Sequence, residues 1–118
     1  MDTASNDSIC QRIWGDKTSA IEKALRQADE DLADLVIDVA YERVFARADL
    51  DLKTRELLAI TSLMSVGTEA EIKTHIYGAL NTGASPQEIK ECILQGAMYL
   101  GFPKALRAMK VFREVCAQ

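Results

Sequence analysis

Apolar residues recur along most of the chain at the three- and four-residue spacing of an α-helix. The first long example runs from residue 19 to about residue 47, and charged residues separate its apolar positions: Ile21, Leu25, Leu32, Leu35, Val36 and Val39. The pattern breaks at "ADLDLKT", where Asp51 is the predicted N-cap of a second helix. This second helix is predicted from about Leu52 to Val66, with Gly67 at its end.

The second helix is apolar on nearly all sides after Glu56. A helix of this kind is buried on most sides, either in the core or between subunits. Two further helices are predicted from their caps. Thr68 and Glu71 have the spacing of a capping box, as do Ser85 and Glu88.

The first capped helix is predicted to end before Gly83, and the second to end at "GFP", after Leu100. Pro103 is predicted to open a last helix that ends near Val115. No segment has the two-residue alternation of a strand, so the sequence predicts an all-α protein. A chain of 118 residues is expected to form a single domain, 1–118, whose N-terminal segment 1–18 is a short helix or partly disordered.

Composition narrows the classes of function. The net charge is −4 and no basic patch is present, which argues against a nucleic-acid partner. "MDTASNDSIC" lacks the basic and apolar regions of a signal peptide, and the apolar stretch from Leu57 to Gly67 is too short to span a bilayer. We therefore expect no membrane partner and a cytoplasmic location.

The three cysteines, Cys10, Cys92 and Cys116, are widely spaced and form no C-x-x-C pair. This arrangement does not resemble a disulfide framework, a zinc site or a dithiol redox pair. Buried or incidental thiols are the expected interpretation.

His75 is the only histidine, and Glu71 lies one helical turn before it. Histidine exchanges protons near neutral pH, so the pair is a candidate for acid–base catalysis. The alternative is a structural histidine at the edge of an apolar stripe, with Glu71 serving only in the capping box. The E-x-x-x-H pattern offers two metal ligands and no third, so no metal is expected.

A second polar set lies on the following helix, where Glu88, Cys92, Gln95 and Tyr99 share one face. Gln95 and Tyr99 either donate hydrogen bonds into a pocket or lie at a subunit interface. The position of Glu42 also allows two interpretations, because it either reaches a pocket as a second carboxylate or lies on a solvated helix face.

The segment from Leu50 to Phe112 resembles the carboxymuconolactone decarboxylase family. The residues that carry the resemblance occur in the family's order and spacing: Arg55, Leu57, Leu58, Glu71, His75, Gly83, Glu88, Ile89, Glu91, the run "YLGFP", Ala105 and Ala108. The best-matching core is taken as residues 50–112.

The resemblance implies an alkylhydroperoxidase D-like (AhpD-like) fold of about five to six helices. It also implies a homo-oligomer, a trimer or hexamer, with pockets between subunits. Decarboxylases of this family remove CO₂ from a carboxylated muconolactone in aromatic catabolism and use no cofactor. By the resemblance, Arg55 and Gln95 bind the substrate, while Tyr99 and His75 supply hydrogen bonds and a proton, with Glu71 orienting His75.

Two departures from the family patterns keep other functions open. Gln95 stands where the decarboxylases typically have a histidine. Thr68 and Glu71 stand where the peroxidase branch has the cysteines of its C-x-x-C motif. Three hypotheses follow: a cofactor-free lyase acting on a small carboxylated lactone or ring acid, a peroxiredoxin-like antioxidant protein whose redox thiol is Cys92, and a ligand-binding oligomer without turnover.

Overall fold

The computed structural model describes residues 7–116, and every regular element in that range is helical. The predicted all-α class is confirmed. The chain divides into two units, Met1–Leu52 and Lys53–Gln118. Residues 1–6, which belong to the predicted N-terminal segment 1–18, lie outside the described residues, and the prediction of partial disorder there stays a prediction.

The first unit contains three α-helices, a 3₁₀ turn and a π-helix. In chain order they are α1 (Ile9–Trp14), the 3₁₀ turn (Gly15–Lys17), α2 (Thr18–Ala28), α3 (Glu30–Leu35) and the π-helix (Val36–Phe45). Ser8 caps α1, because its side chain accepts a hydrogen bond from the backbone N–H of Gln11. The predicted short helix in the N-terminal segment is therefore confirmed.

The periodicity predicts one continuous helix over residues 19–47. That prediction is wrong, because the helix is interrupted at Asp29. The backbone of Asp29 is extended, with φ −176° and ψ 134°, and its side chain accepts the N–H of Leu32 at 2.8 Å. A carboxylate in this position satisfies a free donor at the start of a helix. Glu30 and Asp31 add negative charge in the same turn, which the helix dipole favours.

An aromatic cluster forms the core of the first unit. Trp14 meets Tyr41 edge to face, with ring centroids 4.8 Å apart, and Tyr41 stacks on Phe45 at 5.0 Å. Both arrangements are favourable for aromatic rings. Cys10 and Ile13 complete the buried set. Three of the seven aromatic residues of the chain thus lie where α1 packs on the π-helix.

The second unit is built from four helices. These are α4 (Leu52–Val66), whose first residue still belongs to the first unit, α5 (Glu69–Asn81), α6 (Pro86–Leu100) and α7 (Phe102–Cys116). Both predicted capping boxes are present, at the starts of α5 and α6. Their buried core is aliphatic and includes Ile60, Ile72, Ile76, Ile89 and Ile93.

The face of α4 that carries Glu56, Ile60 and Met64 is buried, whereas Leu58 and Val66 are exposed. Burial of the remaining apolar face against another subunit stays a prediction. No helix in residues 7–116 is long and apolar enough to cross a membrane.

Side chains of α7 hold the carbonyl groups at the end of α4. Arg107 donates from Nη1 to the carbonyl of Gly67 at 2.9 Å and from Nη2 to that of Met64 at 3.0 Å. Lys104 donates to the carbonyl of Ser65 at 3.2 Å. The last carbonyls of a helix lack partners within it, so these bonds take the place of a local cap.

Gly67 is expected to tolerate no side chain at this end of α4. A Cβ there would lie 2.7 Å from Cδ2 and 2.9 Å from the carbonyl oxygen of Leu63. We predict that Gly67→Ala lowers the free energy of unfolding by about 1–3 kcal/mol, because the turn must shift. Urea denaturation measures this loss. The exposed Ser62→Ala on the same helix is the control, and equal stability of the two variants would contradict the prediction.

Candidate functional site

A buried carboxylate contacts the only histidine of the chain. Glu56 of α4 is fully buried, and its Oε1 lies 2.6 Å from Nδ1 of His75 on α5. Glu56 is buried because the helix period places it on the inner face of α4, together with Ile60 and Met64. A carboxylate in such a place requires a hydrogen-bonded partner, and His75 provides it.

The contact through Nδ1 leaves the other ring nitrogen of His75, Nε2, for a ligand. When Glu56 is a carboxylate it can only accept, and Nδ1 of His75 is then the donor. The side chain of His75 is 19% exposed, so the ring is not sealed in the core. Oε2 of Glu56 is buried and has no hydrogen-bond partner among residues 7–116. The arrangement suits proton transfer at an oriented imidazole.

Glu71 does not make the contact with His75 that the sequence suggested. Its Oε1 accepts the backbone N–H of Thr68 at 2.8 Å, and its own N–H donates to the hydroxyl of Thr68 at 3.2 Å. The backbone hydrogen bond from Thr68 is the main reason that the pKa of Glu71 is lowered, and the charge of His75 contributes least. Glu71 is exposed. Of the two roles considered for it, orienting His75 or closing the capping box, the hydrogen bonds of the structure are those of the capping box.

Glu56 is the functional candidate that sequence reasoning missed. The signal was available, since Glu56 is the last charged residue before an apolar stretch and lies four residues before Ile60. That spacing directs a carboxylate to the apolar face, where it needs a donor. The donor could not be identified from the sequence. His75 lies 19 residues further along, on another helix, and the helix period predicts contacts only within one helix.

Helices α4 and α6 line an open hollow of about 420 Å³. Eight residues line it: Thr54, Leu57, Leu58, Thr61, Cys92, Gln95, Gly96 and Tyr99. The walls are mainly apolar, and Gln95 and Tyr99 lie at the exposed edge, with Tyr99 80% exposed. The predicted common face of Cys92, Gln95 and Tyr99 is confirmed. Glu88, which was predicted on the same face, pairs with Lys53 at 3.1 Å and does not line the hollow.

The structure separates the predicted site residues into two groups within the second unit. Cys92, Gln95 and Tyr99 line the hollow, whereas His75 pairs with Glu56 on a different face of α4. Arg55 is half-buried, and neither Arg55 nor Glu71 lines the hollow. Within one chain, the residues assigned by resemblance therefore do not converge on a single pocket.

The cysteines lie in surroundings that disfavour the thiolate. Burial raises the pKa of Cys92, and the carboxylates of Glu88 and Glu91 add to the effect. Burial also raises the pKa of Cys116, and it raises that of Cys10 to about 11, together with Glu42 and Glu22. All three thiols are free. A peroxide-reducing cysteine needs the opposite shift, because the thiolate is the nucleophile.

No group of three or more histidine, cysteine, aspartate or glutamate residues between positions 7 and 116 is placed to hold a metal ion. The expectation that no metal is bound stays a prediction.

Comparisons with known proteins point to one family. The model of the carboxymuconolactone decarboxylase family matches residues 30–114. The chain is 32% identical over 91 residues to a 4-carboxymuconolactone decarboxylase of Acinetobacter baylyi, and the alignment covers 77% of this chain and 68% of that protein. It is 30% identical over 120 residues to the nitrosuccinic acid decarboxylase of Metarhizium robertsii, and here the alignment covers 92% of this chain and 84% of that protein. An uncharacterised 15.0 kDa protein of Paracoccus denitrificans is 32% identical over 101 residues, with 84% and 72% covered.

Proposed function

We propose that this chain, which belongs to the carboxymuconolactone decarboxylase family, is a cofactor-free lyase that removes CO₂ from a small carboxylated lactone or a related acid. The observation that carries the proposal is the 2.6 Å contact between Glu56 and His75, because it gives the fold an oriented acid–base group. Two relatives named as decarboxylases support the reaction type.

The two named relatives indicate which substrate chemistry to expect. A carboxymuconolactone and nitrosuccinic acid are both small acids with an electron-withdrawing group, a lactone in one and a nitro group in the other. When CO₂ leaves such an acid, the electron pair of the broken bond is delocalised into that group. We therefore take the substrate class to be small polycarboxylates with a lactone, nitro or similar group next to the departing carboxylate.

The proposed step is a decarboxylation followed by protonation. The bond from carbon to the carboxylate breaks, CO₂ departs, and its electron pair moves onto the lactone as a dienolate. Protonated His75 then gives its Nε2 proton to carbon, while Glu56 holds Nδ1 and compensates the charge of the imidazolium. The neutral imidazole regains a proton from water.

The remaining site residues are assigned to binding. Arg55 is the proposed partner of the substrate's second carboxylate, since a guanidinium binds a carboxylate through two hydrogen bonds. Gln95 and Tyr99 are the proposed donors to the developing dienolate from the edge of the hollow. Because His75 does not line the same hollow, we propose that a second copy of the chain brings the two groups together.

Self-association has a candidate surface on the second unit. Met98 on α6 and Phe102 and Leu106 on α7 are 73%, 71% and 70% exposed, and Phe102 and Leu106 lie one turn apart on α7. Large apolar side chains that are exposed to this extent favour contact with another protein surface. Since Tyr99 follows Met98 in the chain, a second copy that covers Met98 would also lie near the edge of the hollow.

We predict that Met98→Asp converts the protein from an oligomer to a monomer, because a buried unpaired charge opposes the apolar contact. Sedimentation velocity at fixed protein concentration measures the change. Gln87→Asp, which adds the same charge to an exposed position on the same helix, is the matched control and should leave the mass unchanged. A wild-type protein that sediments as a monomer would contradict the proposed contact.

Release of CO₂ from a panel of acids tests the lyase proposal. The panel contains a carboxymuconolactone, nitrosuccinate and succinate, and ¹³C-labelled carboxylates are followed by NMR as bicarbonate appears. We expect turnover of at least one of the first two and none of succinate, which lacks an electron-withdrawing group. Saturable binding without CO₂ release would favour the ligand-binding oligomer instead.

The thiol-based alternative makes a separate prediction. Because the pKa of Cys92 is raised, little thiolate is present near neutral pH, and the reactive form appears only as the pH rises above the usual thiol range. We predict slower alkylation of Cys92 by iodoacetamide than of an unstructured cysteine peptide at neutral pH, measured by mass spectrometry. Peroxide turnover that Cys92→Ser abolishes and Cys116→Ser preserves would restore the antioxidant hypothesis.

A further inference from the structure

The first unit carries an exposed apolar face that the proposed lyase reaction does not use. Its members are Leu32, Leu35, Val39 and Val44, each between 40% and 58% exposed. They lie on one continuous stretch of helical backbone, because α3 passes directly into the π-helix, and both Leu35 and Val36 have helical dihedral angles. We call these four side chains the outer face of the first unit.

The outer face occupies one side of this helical stretch. Leu32 and Leu35 are three positions apart and Leu35 and Val39 are four apart, which is about one helical turn in each case. Val39 and Val44 are five apart, the hydrogen-bond spacing of a π-helix. Tyr41, which packs into the aromatic cluster, is two positions from Val39 and therefore points to a different side.

Charges of opposite sign lie at the two ends of the outer face. Asp31 is four positions before Leu35, and Arg43 is four positions after Val39. Both are exposed, and neither has a hydrogen bond or an ion pair with another residue between positions 7 and 116. The helical stretch therefore has an acid at its start and a base at its end, each one turn from the apolar centre.

The other two acids of α3 are already paired. Glu30 and Asp34 both bind Arg26, at 2.9 Å and 3.0 Å. Asp31 is therefore the acid of α3 that is left for a partner outside the described residues.

The acids of the π-helix lie to the side of the outer face. Asp38 is one position before Val39, about a quarter turn away, so its exposed carboxylate stays in solvent. Glu42 is also exposed, and it lines a small open hollow of the first unit together with Ile37. The sequence left Glu42 either in a pocket or on a solvated face, and its carboxylate lies where that hollow meets the solvent.

We propose that the outer face pairs with the outer face of a second copy of this chain, with the two helical stretches antiparallel. A two-fold axis midway between Leu35 and Val39 places Leu35 of each copy against Val39 of the other. The same axis places Asp31 of each copy beside Arg43 of the other, because both charges lie four positions from the apolar centre. A parallel arrangement would instead place like charges together, so the charges select the antiparallel one.

The contact is small, because each copy contributes four apolar side chains and two charges, and a single contact of this size is weak. It is separate from the contact proposed for Met98, Phe102 and Leu106 in the second unit. Chains that are joined through the second unit present several outer faces at once, which raises the effective concentration of each. An assembly that uses both contacts contains an even number of copies.

Exchange of the charges tests the pairing. Asp31→Arg and Arg43→Asp are each made in the Met98→Asp variant, in which the contact of the second unit is weakened. Sedimentation velocity follows the mass over about a hundredfold range of protein concentration. We expect Met98→Asp alone to be a monomer when dilute and a dimer when concentrated. Either added change should weaken the dimer by about tenfold or more, because two attractive pairs become two repulsive ones.

An equal mixture of the two charge variants provides the decisive comparison. The arginine introduced at position 31 of one variant then faces the aspartate introduced at position 43 of the other, and the native Arg43 and Asp31 also face each other. The mixture should therefore dimerise about as well as Met98→Asp alone, although each variant by itself does not. Lys23→Asp, on the exposed side of α2, makes the same charge change as Arg43→Asp and should leave dimerisation unchanged. Circular dichroism confirms that each variant is folded.

Three results would overturn the proposal. They are a Met98→Asp variant whose mass does not increase with concentration, charge variants that dimerise as well as Lys23→Asp does, and a mixture that dimerises no better than its separate components. None of these depends on CO₂ release, so the lyase proposal and this one succeed or fail separately.

Discussion

Replacing His75 by glutamine is expected to lower the turnover number for a carboxylated lactone by about 10²–10⁴-fold, the usual contribution of a general acid. Glutamine keeps a donor that can reach Glu56 but cannot release a proton near neutral pH. The carboxylate therefore stays satisfied while the acid is lost. The loss should appear in kcat more than in KM, because Arg55 and the hollow, which are assigned to binding, are unchanged.

The measurement is steady-state release of CO₂ from the best compound of the panel. Lys73→Gln, an exposed change on the same helix, is the matched control and should stay within twofold of the wild type. If His75→Gln retains more than about a tenth of the activity, His75 is not the proton donor. Tyr99→Phe then becomes the next variant, because the phenol of Tyr99, which lines the hollow, can also give a proton.

Replacing His75 by leucine is expected to produce the largest loss of stability, about 3–5 kcal/mol. Leucine cannot donate, so the fully buried carboxylate of Glu56 would have no partner at either oxygen among the residues that the structure describes. An uncompensated buried charge is more costly than the loss of the attraction between the pair. Urea denaturation at one protein concentration measures the change, so that any self-association affects all variants equally.

The double variant His75→Leu/Glu56→Leu decides whether the cost comes from the stranded charge. An ion pair replaced by apolar residues of similar size is often as stable as before, so the double variant should recover most of the loss. His75→Gln should lie close to the wild type, since it leaves Glu56 with a donor. If the double variant is no more stable than His75→Leu, the loss comes from packing around position 75.

The sequence predicted the second unit well because its signals are local. A capping box requires only residues three positions apart, and the boxes at Thr68 and Ser85 fixed the starts of α5 and α6. The first unit was predicted less well. Its periodicity continues through Asp29, so the break depends on one side chain competing with the backbone.

The π-helix over Val36–Phe45 had no sequence signal that we could use. Its apolar residues fit the period of an α-helix, whereas in the structure Tyr41 of this helix also packs against Trp14 of α1. A contact between residues as far apart along the chain as Trp14 and Tyr41 is not encoded in local spacing.

The sequence identified several residues of the candidate site but not the contacts between helices that arrange them. The spacing of Cys92, Gln95 and Tyr99 placed them correctly on one face of α6, because a single helix has a known period. The partner of His75 could not be found in the same way, since Glu56 and His75 lie on different helices. The closest carboxylate in the sequence, Glu71, is used by its own helix terminus.

The bonds from Arg107 to the end of α4 join residues 40 and 43 positions apart in the chain. The final turn of α4 therefore keeps its carbonyl partners only while α7 is docked. A transient opening of α7 would release that turn at the same moment, and the two segments would exchange their amide hydrogens with solvent as one cooperative unit. At the capping boxes of α5 and α6 the partner is instead a side chain three residues away, so α7 takes no part in those hydrogen bonds.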